Sequence, residues 1–549
     1  MTARLHRPPG RTVAHLMLWC WALLLGSGLQ VAAAQAPGDT HYAEQVTQLA
    51  TAGFGEKERI VDALLEARHP QTRMLLAAFL DGRLASRKSD GKVFITEDAD
   101  DGVALVDPID ASAAGTAKSS SLRKIGTNNR LRKKLKGAIA LFDLDNADAG
   151  VRLAAVDEML RELDATTVSA LRTRLGVEDS ARVRRALEVG LALADLSSSD
   201  AEVRLAAVGT LEGEIGTAVY NRLKTLERDE PDARVRDAAL SGLRHIDQWR
   251  RFYGGVETLF FGLSLGSVLV LAAIGLAITF GVMGVINMAH GELMMIGAYT
   301  AYVMQLLLPQ HTTLAVLLAV PAAFLVSGLV GVGIERGIVR FLYGRPLETL
   351  LATFGLSLIL QQAVRSIFSP LNRSVATPEF MSGSWQINEV FSLTWNRLYI
   401  VIFALLVFAL LQLVLNKTSL GLKVRAVSQN REMARALGVR SARVDAMTFG
   451  LGAGVAGVAG VALSQLTNVG PNLGQSYIVD SFMVVVFGGV GNLWGTLIGG
   501  MSLGVVNKLL EPWSGAVMAK ILVLVFLILF IQRRPRGLFP HKGRAAEGH

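Results

Sequence analysis

From about residue 256 onward the chain is a succession of long apolar runs separated by short polar connections. Leu259 to Met283 contains no charged side chain, and neither does Leu293 to Leu308. Runs of this length match the hydrocarbon core of a bilayer. They predict spans near 257–284, 288–308, 313–335, 348–369, 396–415, 443–467, 475–490, 493–511 and 516–532. The preceding residues obey another rule: they are charged and rich in Ala, Leu and Arg, with apolar positions at helical spacing. The expected fold is all-α, a polytopic membrane helical bundle at 256–540 preceded by a helical domain at 37–250.

Two interruptions stand out among the apolar runs. The first is Gly284-Val285-Ile286-Asn287-Met288-Ala289-His290-Gly291-Glu292, a polar knot between two uncharged stretches. Ionisable groups so close to a span are costly to keep without a function, although a surface loop would also carry them. The second is Phe487-Gly488-Gly489-Val490-Gly491-Asn492-Leu493-Trp494-Gly495, which also plants an Asn in an apolar run. One interrupted segment in each half is the mark of a transport site built from broken helices. Gly452-Ala453-Gly454-Val455-Ala456-Gly457 matches the dinucleotide fingerprint letter for letter, but no soluble βαβ unit surrounds it. Helix packing through small residues is the better reading.

Charge orients the spans. Basic residues cluster between Glu335 and Pro346, between Asn416 and Arg443, and after Gln532, whereas Ser369 to Trp395 and Asn468 to Gly474 are nearly free of them. By the positive-inside rule the first group is cytoplasmic, which gives about nine crossings with the C-terminus inside. This count puts both interruptions near the cytoplasmic face, so His290 and Glu292 would gate an inner mouth. Arg365, Asp480, Lys508 and Glu511 fall near span ends, where snorkelling and interface placement explain them. The net charge of +9 arises from the same loops; no basic stretch is interleaved with aromatics, and nucleic acid is not an expected partner.

The first 36 residues have the form of a secretory signal. Arg4, Arg7 and Arg11 precede an apolar core from Val13 to Leu25, with A-x-A-type sites ending at Ala34 and Ala36 after it. An uncleaved anchor would place the 37–250 domain on the same side of the membrane. The single cysteine, Cys20, lies in this segment, so the exported region has no disulfide. In that region Val151-Arg152, Val183-Arg184, Val203-Arg204 and Val235-Arg236 each open a similar run, preceded by the candidate caps Asp148, Asp179, Asp200 and Asp232. Their spacing is irregular, and they resemble degenerate HEAT-type repeats; an irregular bundle is the alternative. An insertion near 86–136 interrupts them, with Lys92 to Ile95 and Val103 to Val106 as a small hairpin around an acidic turn and a loose stretch from Ala111 to Ser121. The acidic cluster lacks the spacing of a calcium loop. No metal site and no catalytic constellation is expected, so the chain does not read as an enzyme.

No phosphate-binding G-x-x-x-x-G-K-[ST] loop occurs in the chain, so it is expected to bind no cofactor, with ATP used by partner subunits. Asn430-Arg431-Glu432-Met433-Ala434-Arg435-Ala436-Leu437-Gly438 resembles the E-A-A-x-x-x-G coupling motif of ABC importer permeases, with Met433 in place of the first Ala. Gly262 to Ser267, Ile286 to Glu292, Thr418 to Gly421, Arg425-Ala426, Asn430, Phe487 to Gly495 and Arg534 to Phe539 together resemble the branched-chain amino acid permease family over most of 256–540. A signal and helical-repeat domain ahead of such a permease is similar to that family's urea-transporter branch.

This resemblance implies a multi-pass permease of a bacterial inner membrane, with its N-terminal domain periplasmic. The implied partners are a second homologous permease, two ATPase subunits, a periplasmic substrate-binding protein and the lipid bilayer. Asn430, Glu432, Ala434 and Gly438 would form the ATPase-coupling segment. Urea is small, neutral and rich in donors and acceptors, so its path needs paired polar groups and little net charge. Asn287, His290, Glu292, Thr353, Gln361 and Asn492 are the candidates for that path, with Glu292 either orienting His290 or facing the cytoplasm. Uptake of branched-chain amino acids is the alternative within the class, and a membrane-anchored scaffold the alternative outside it.

Overall fold

The computed structural model describes residues 37–99, 102–388 and 390–539. The expected signal lies outside the described residues. The chain divides into two compact units, one of residues up to 212 with Asn221–Gly242, the other of Gly213–Tyr220 with the residues from Leu243 onward.

The first unit opens with α1 (Pro37–Gln48), α2 (Phe54–Ala67) and α3 (Thr72–Leu80). Next comes a five-stranded antiparallel sheet of β1 (Leu84–Arg87), β2 (Val93–Ala99), β3 (Gly102–Val106), β4 (Ala113–Ala117) and β5 (Leu122–Lys124), in the order β4-β3-β2-β1-β5. The expected hairpin is present, with Ile95 opposite Val106, but it is part of this larger sheet. Glu97 and Asp98 extend β2 rather than forming the turn, pairing with Ala104 and Val103. The Ser/Ala/Gly stretch expected to be loose supplies β4. All-α is therefore corrected to a mostly helical chain carrying one substantial sheet. The sheet is no mere insertion: Val93 and Ile95 share a core with Tyr42, Leu64, Leu76 and Phe79 from α1–α3, and with Leu131 and Leu135 from α4 (Asn129–Asp143).

The chain continues through helices α5 (Ala149–Met159), α6 (Ala165–Leu175), α7 (Ala181–Asp195), α8 (Ala201–Thr210), α9 (Thr217–Asp229) and α10 (Ala233–Met283). Asp148, Asp200 and Asp232 cap as expected, accepting from the amides of Gly150, Glu202 and Arg234 at 2.7–2.9 Å. Asp179 does not; Ser180 is the N-cap of α7, and its own amide donates to Glu178 Oε1 at 2.9 Å. Glu178 is the key to a hidden regularity. Arg152 forms a two-pronged pair with it, at 2.9 and 2.7 Å, and Arg184 donates to its carbonyl. The same constellation recurs 52 positions on, where Arg204 grips Glu230 at 3.0 and 2.7 Å and Arg236 reaches the Glu230 carbonyl. The true period is three helices long, and the alternating spacing of the Val-Arg runs arises because two of the three helices carry one.

Glu178 is buried. The Arg152 guanidinium, aided by the Ser180 amide and Arg174, outweighs that burial and holds its carboxyl down at about 2, below the usual 4.5. A depressed carboxyl stabilises the fold fully above its unfolded value, and the contribution is lost as pH falls through the folded one. Hydrogen exchange in α5–α7 of the intact chain should accelerate as pH drops from about 4.5 toward 2, after correction for intrinsic rates. Arg152→Leu, which strands a buried carboxylate, should cost about 3 kcal/mol of protection in these helices.

The second unit continues from α10 with α11 (His290–Leu307), α12 (Thr312–Gly337) and α13 (Pro346–Phe368). A two-stranded ribbon of β6 (Ser384–Gln386) and β7 (Ser392–Thr394) precedes α14 (Trp395–Lys417), α15 (Ser419–Gln429) and α16 (Arg431–Ala436). The chain then forms α17 (Ser441–Ser464), α18 (Leu473–Gly488), α19 (Leu493–Ser514) and α20 (Ala516–Arg533). All nine expected apolar segments are helical. Among the described residues seven helices are long and apolar enough to cross a membrane; α11 and α18 are not among them. The protein is a multi-pass membrane protein.

Helix α17 is its axis, buried along almost its whole length. The false dinucleotide motif lies here and packs helices: a Cβ on Gly452 would stand 2.7 Å from the Gly275 carbonyl oxygen of α10, and one on Gly454 would stand 2.7 Å from the Phe324 ring of α12. Such close backbone approach is what small residues permit between membrane helices.

Candidate functional site

The polar knot is a re-entrant segment. α10 ends at Met283, and Gly284 turns the chain at φ +65°. The segment then runs back along the bundle until His290 Nε2 donates to the Ala272 carbonyl at 2.9 Å. Ala272 lies about 16 Å before the end of α10 at 1.5 Å per residue, so α11 starts well inside the bundle.

The partner of this segment is one face of α13. Thr349, Thr353, Ser357 and Gln361 recur every four residues and are all buried, forming a polar stripe on a helix that otherwise exposes Leu351, Phe354, Leu358 and Ile359. Thr353 Oγ1 accepts from the Met288 amide at 3.1 Å, and one and two turns on Ser357 and Gln361 donate to Glu292 Oε1 at 3.0 and 3.1 Å. Asn287 Oδ1 accepts from the Ala289 amide at 3.0 Å. The first turn of α11 is closed on another side by α18: a Cβ on Gly474 would lie 2.8 Å from the Glu292 amide nitrogen.

Asn287, His290, Glu292, Thr353 and Gln361 are thus gathered on one re-entrant segment and its supporting helix. Their expected position at the inner mouth is corrected. Gln361 sits about 22 Å along α13 from Pro346, and the segment it supports lies at mid-bundle depth. The charge count missed this because it locates loops by sequence and cannot detect a loop that folds back. Glu292 does not orient His290; it bonds to α13, while His290 bonds to α10. Ser357 was missed, although the four-residue spacing of α13's polar side chains signals it.

Buried polar atoms are normally paired. Among the described residues, three on this segment lack a protein partner: Asn287 Nδ2, His290 Nδ1 and Glu292 Oε2. With Nε2 of His290 donating, Nδ1 is an acceptor. The segment therefore presents one unmatched donor and two unmatched acceptors.

Asn492 lies elsewhere. It caps α19, accepting from the Gly495 amide at 3.1 Å, and its Nδ2 faces the Phe539 carbonyl at 3.4 Å. The residues after α20 fold back on this break, with the Leu538 and Phe539 amides donating to the Phe487 and Gly488 carbonyls at 2.9 and 3.2 Å. Asn492 also lines a cavity of about 260 Å³ with Gly281, Gln412, Arg425 and Ser428. The expected pairing of the two interruptions at one level is corrected: the second break sits at the end of α10, the first deep inside.

The coupling-like segment forms α16. Asn430 caps it, its Oδ1 accepting from the Met433 amide at 2.9 Å. Gly438, at φ +86°, ends it, with the Val439 amide on the Ala434 carbonyl, the left-handed stop that favours glycine. Ala434 is buried, whereas Glu432, Met433 and Leu437 are exposed. Arg431, not singled out from the sequence, ties α16 down: it pairs with buried Asp445 at the start of α17 and lies 4.0 Å over the Tyr343 ring.

Comparison with known proteins agrees with this architecture. The sequence pattern of branched-chain amino acid transport system permease components matches residues 258–531. The high-affinity branched-chain amino acid transport system permease protein BraD of Pseudomonas aeruginosa is 32% identical over 296 residues, covering 96% of that protein and 52% of this chain. The chain belongs to the branched-chain amino acid permease family. The corresponding LivH of Escherichia coli is 32% identical over 293 residues, 94% of its length and 52% of this chain. A probable LivH of Methanocaldococcus jannaschii is 25% identical over 291 residues, 88% of its length and 50% of this chain. No solved structure matches the chain. The family match thus covers the second unit's helices from α10 into α20, including both breaks and α16.

The Gly474 contact gives a test of the site's packing. Gly474→Ala should destabilise the detergent-purified protein by about 2 kcal/mol through overpacking. Gly333→Ala, where nothing lies within 4 Å, should be neutral or slightly stabilising. Thermal unfolding of the two variants compares them directly.

Proposed function

We propose that this chain is the permease subunit of an ATP-driven importer for urea. It acts with a second homologous permease, two ATPase subunits and a periplasmic substrate-binding protein in a bacterial inner membrane. In this reading the α16 end and the C-terminus face the cytoplasm. The first unit is an exported HEAT-like helical domain that docks a partner, and residues 1–36 are its secretory signal.

The observation that carries the substrate is the re-entrant segment with its unmatched donor and acceptors. Urea offers N–H donors and a carbonyl acceptor without net charge, so it can satisfy such a set, and a desolvated polar group left unmatched costs about 1–3 kcal/mol. The relatives' names favour a second reading, branched-chain amino acid uptake, which would need fixed partners for an ammonium and a carboxylate. The exposed Glu432, Met433 and Leu437 support α16 as the ATPase-docking segment, anchored from behind by Arg431 and Asp445.

Labelled urea should be taken up by the reconstituted complex only with its binding protein and ATP, and excess leucine should not compete. Efficient competition by leucine would transfer the assignment to amino acids. Glu432→Lys should abolish ATP-coupled uptake while the permease still inserts at normal levels. Normal uptake by that variant would remove α16 from the mechanism.

A further inference from the structure

A second polar site lies at the other end of the second unit from α16. A cleft of about 370 Å³ is lined there by Asn372, Asn468, Asn472 and Asn507, with Asp480 and Lys520 among the lining side chains. Asp480 comes from α18 and Lys520 from α20, and Lys520 Nζ donates to Asp480 Oδ2 at 3.2 Å. Asp480, expected from the sequence to lie at an interface near a span end, has a side chain only 14% exposed that lines this cleft beside the largely exposed Lys520. Ionisable residues within membrane helices characteristically face an aqueous path. Thr467, Ser476 and Tyr477 add further polar groups to the lining, and apolar side chains such as Leu269 of α10 and Leu503 of α19 complete it.

The cleft is joined to the re-entrant segment in two ways. Arg365 continues the α13 stripe one turn beyond Gln361 and donates to Asn472 Oδ1 on the cleft wall at 2.8 Å. Leu473, also on that wall, immediately precedes Gly474, whose backbone touches the first turn of α11. One polar face of α13 therefore runs from the cleft, past Glu292, to Thr353 and the Met288 amide.

We infer that this cleft is a solute-binding site on the inward path, recognising a small molecule that carries N–H donors beside a carbonyl or carboxylate acceptor. Asp480 accepts from the donors, the Lys520 ammonium and the asparagine amides donate to the acceptor, and the α13 stripe leads onward to the re-entrant segment. This inference rests on the importer reading. Urea and an amino-acid zwitterion share the required chemistry.

The test uses the reconstituted complex. Asp480→Asn should raise the half-saturating urea concentration at least about tenfold, as expected for loss of a charge-assisted hydrogen bond, and should lower the maximal rate much less. A half-saturating concentration within about twofold of the unaltered complex, below even a typical neutral hydrogen bond's worth, overturns the site. Independently, Asn507→Cys should react with a membrane-impermeant thiol reagent, and saturating urea should slow that reaction, with the unaltered chain correcting for Cys20. If leucine slows labelling and urea does not, the cleft stands and the urea assignment falls. If neither slows it although the unaltered complex accumulates urea, the cleft is not a solute site.

Discussion

The second unit is organised around the need to satisfy polar groups inside an apolar bundle. A segment that leaves helical geometry at membrane depth exposes amides and carbonyls that lipid cannot pair, and such backbone is tolerated only where protein or a polar cavity surrounds it. Between α10 and α11 the chain does this from Gly284 to Ala289. The polar stripe of α13 supplies the Thr353 hydroxyl for the Met288 amide and Ser357 and Gln361 for Glu292, while the Ala272 carbonyl takes the His290 ring. α13 is otherwise poorly covered within the unit, so its buried polar face is not explained by core packing alone. It is a support for the re-entrant segment.

That support works only because the backbones come close. α17 packs against α10, α11 and α12 through glycines; Gly460 lies against the Met294 carbonyl of α11 and Gly452 against Gly275 of α10. Side chains at these positions would collide with the backbones of α11 and α10. The same helix begins with Asp445, the buried partner of Arg431. One glycine-rich helix thus packs against α10 and α11 along its length and holds Arg431 of α16 through Asp445 at its start.

Much of this was legible in the sequence. Long apolar runs located every apolar helix of the second unit, because exclusion from water is a local property of composition. The identities of Asn287, His290, Glu292, Thr353 and Gln361 were legible too, as polar residues in such runs. Their depth was not, because a turn at Gly284 that sends the chain back inward leaves the same letters as a surface loop. In the first unit the Val-Arg runs were visible, but the 52-residue period was hidden until Glu178 and Glu230 were seen as equivalent partners of Arg152 and Arg204. Strand β4 was missed because Ala and Gly, which make up all of it but Thr116, carry little strand signal, and its residues are largely exposed.

The two glycine-rich interruptions look alike as letters and differ in physics. Around Asn492 the polar groups are answered locally: the Asn caps α19, and the 534–539 strap fills the open carbonyls of Phe487 and Gly488. That break is sealed by the protein's own chain. Around Asn287 the backbone is also supported, yet donor and acceptor atoms on three side chains remain buried without partners. A fold that meets the cost of satisfying one break so thoroughly could have closed the other with apolar residues. In the importer reading proposed above, that buried hydrogen-bonding capacity, at the end of a polar stripe that begins beside the Asp480 cleft, is where a polar solute would be met.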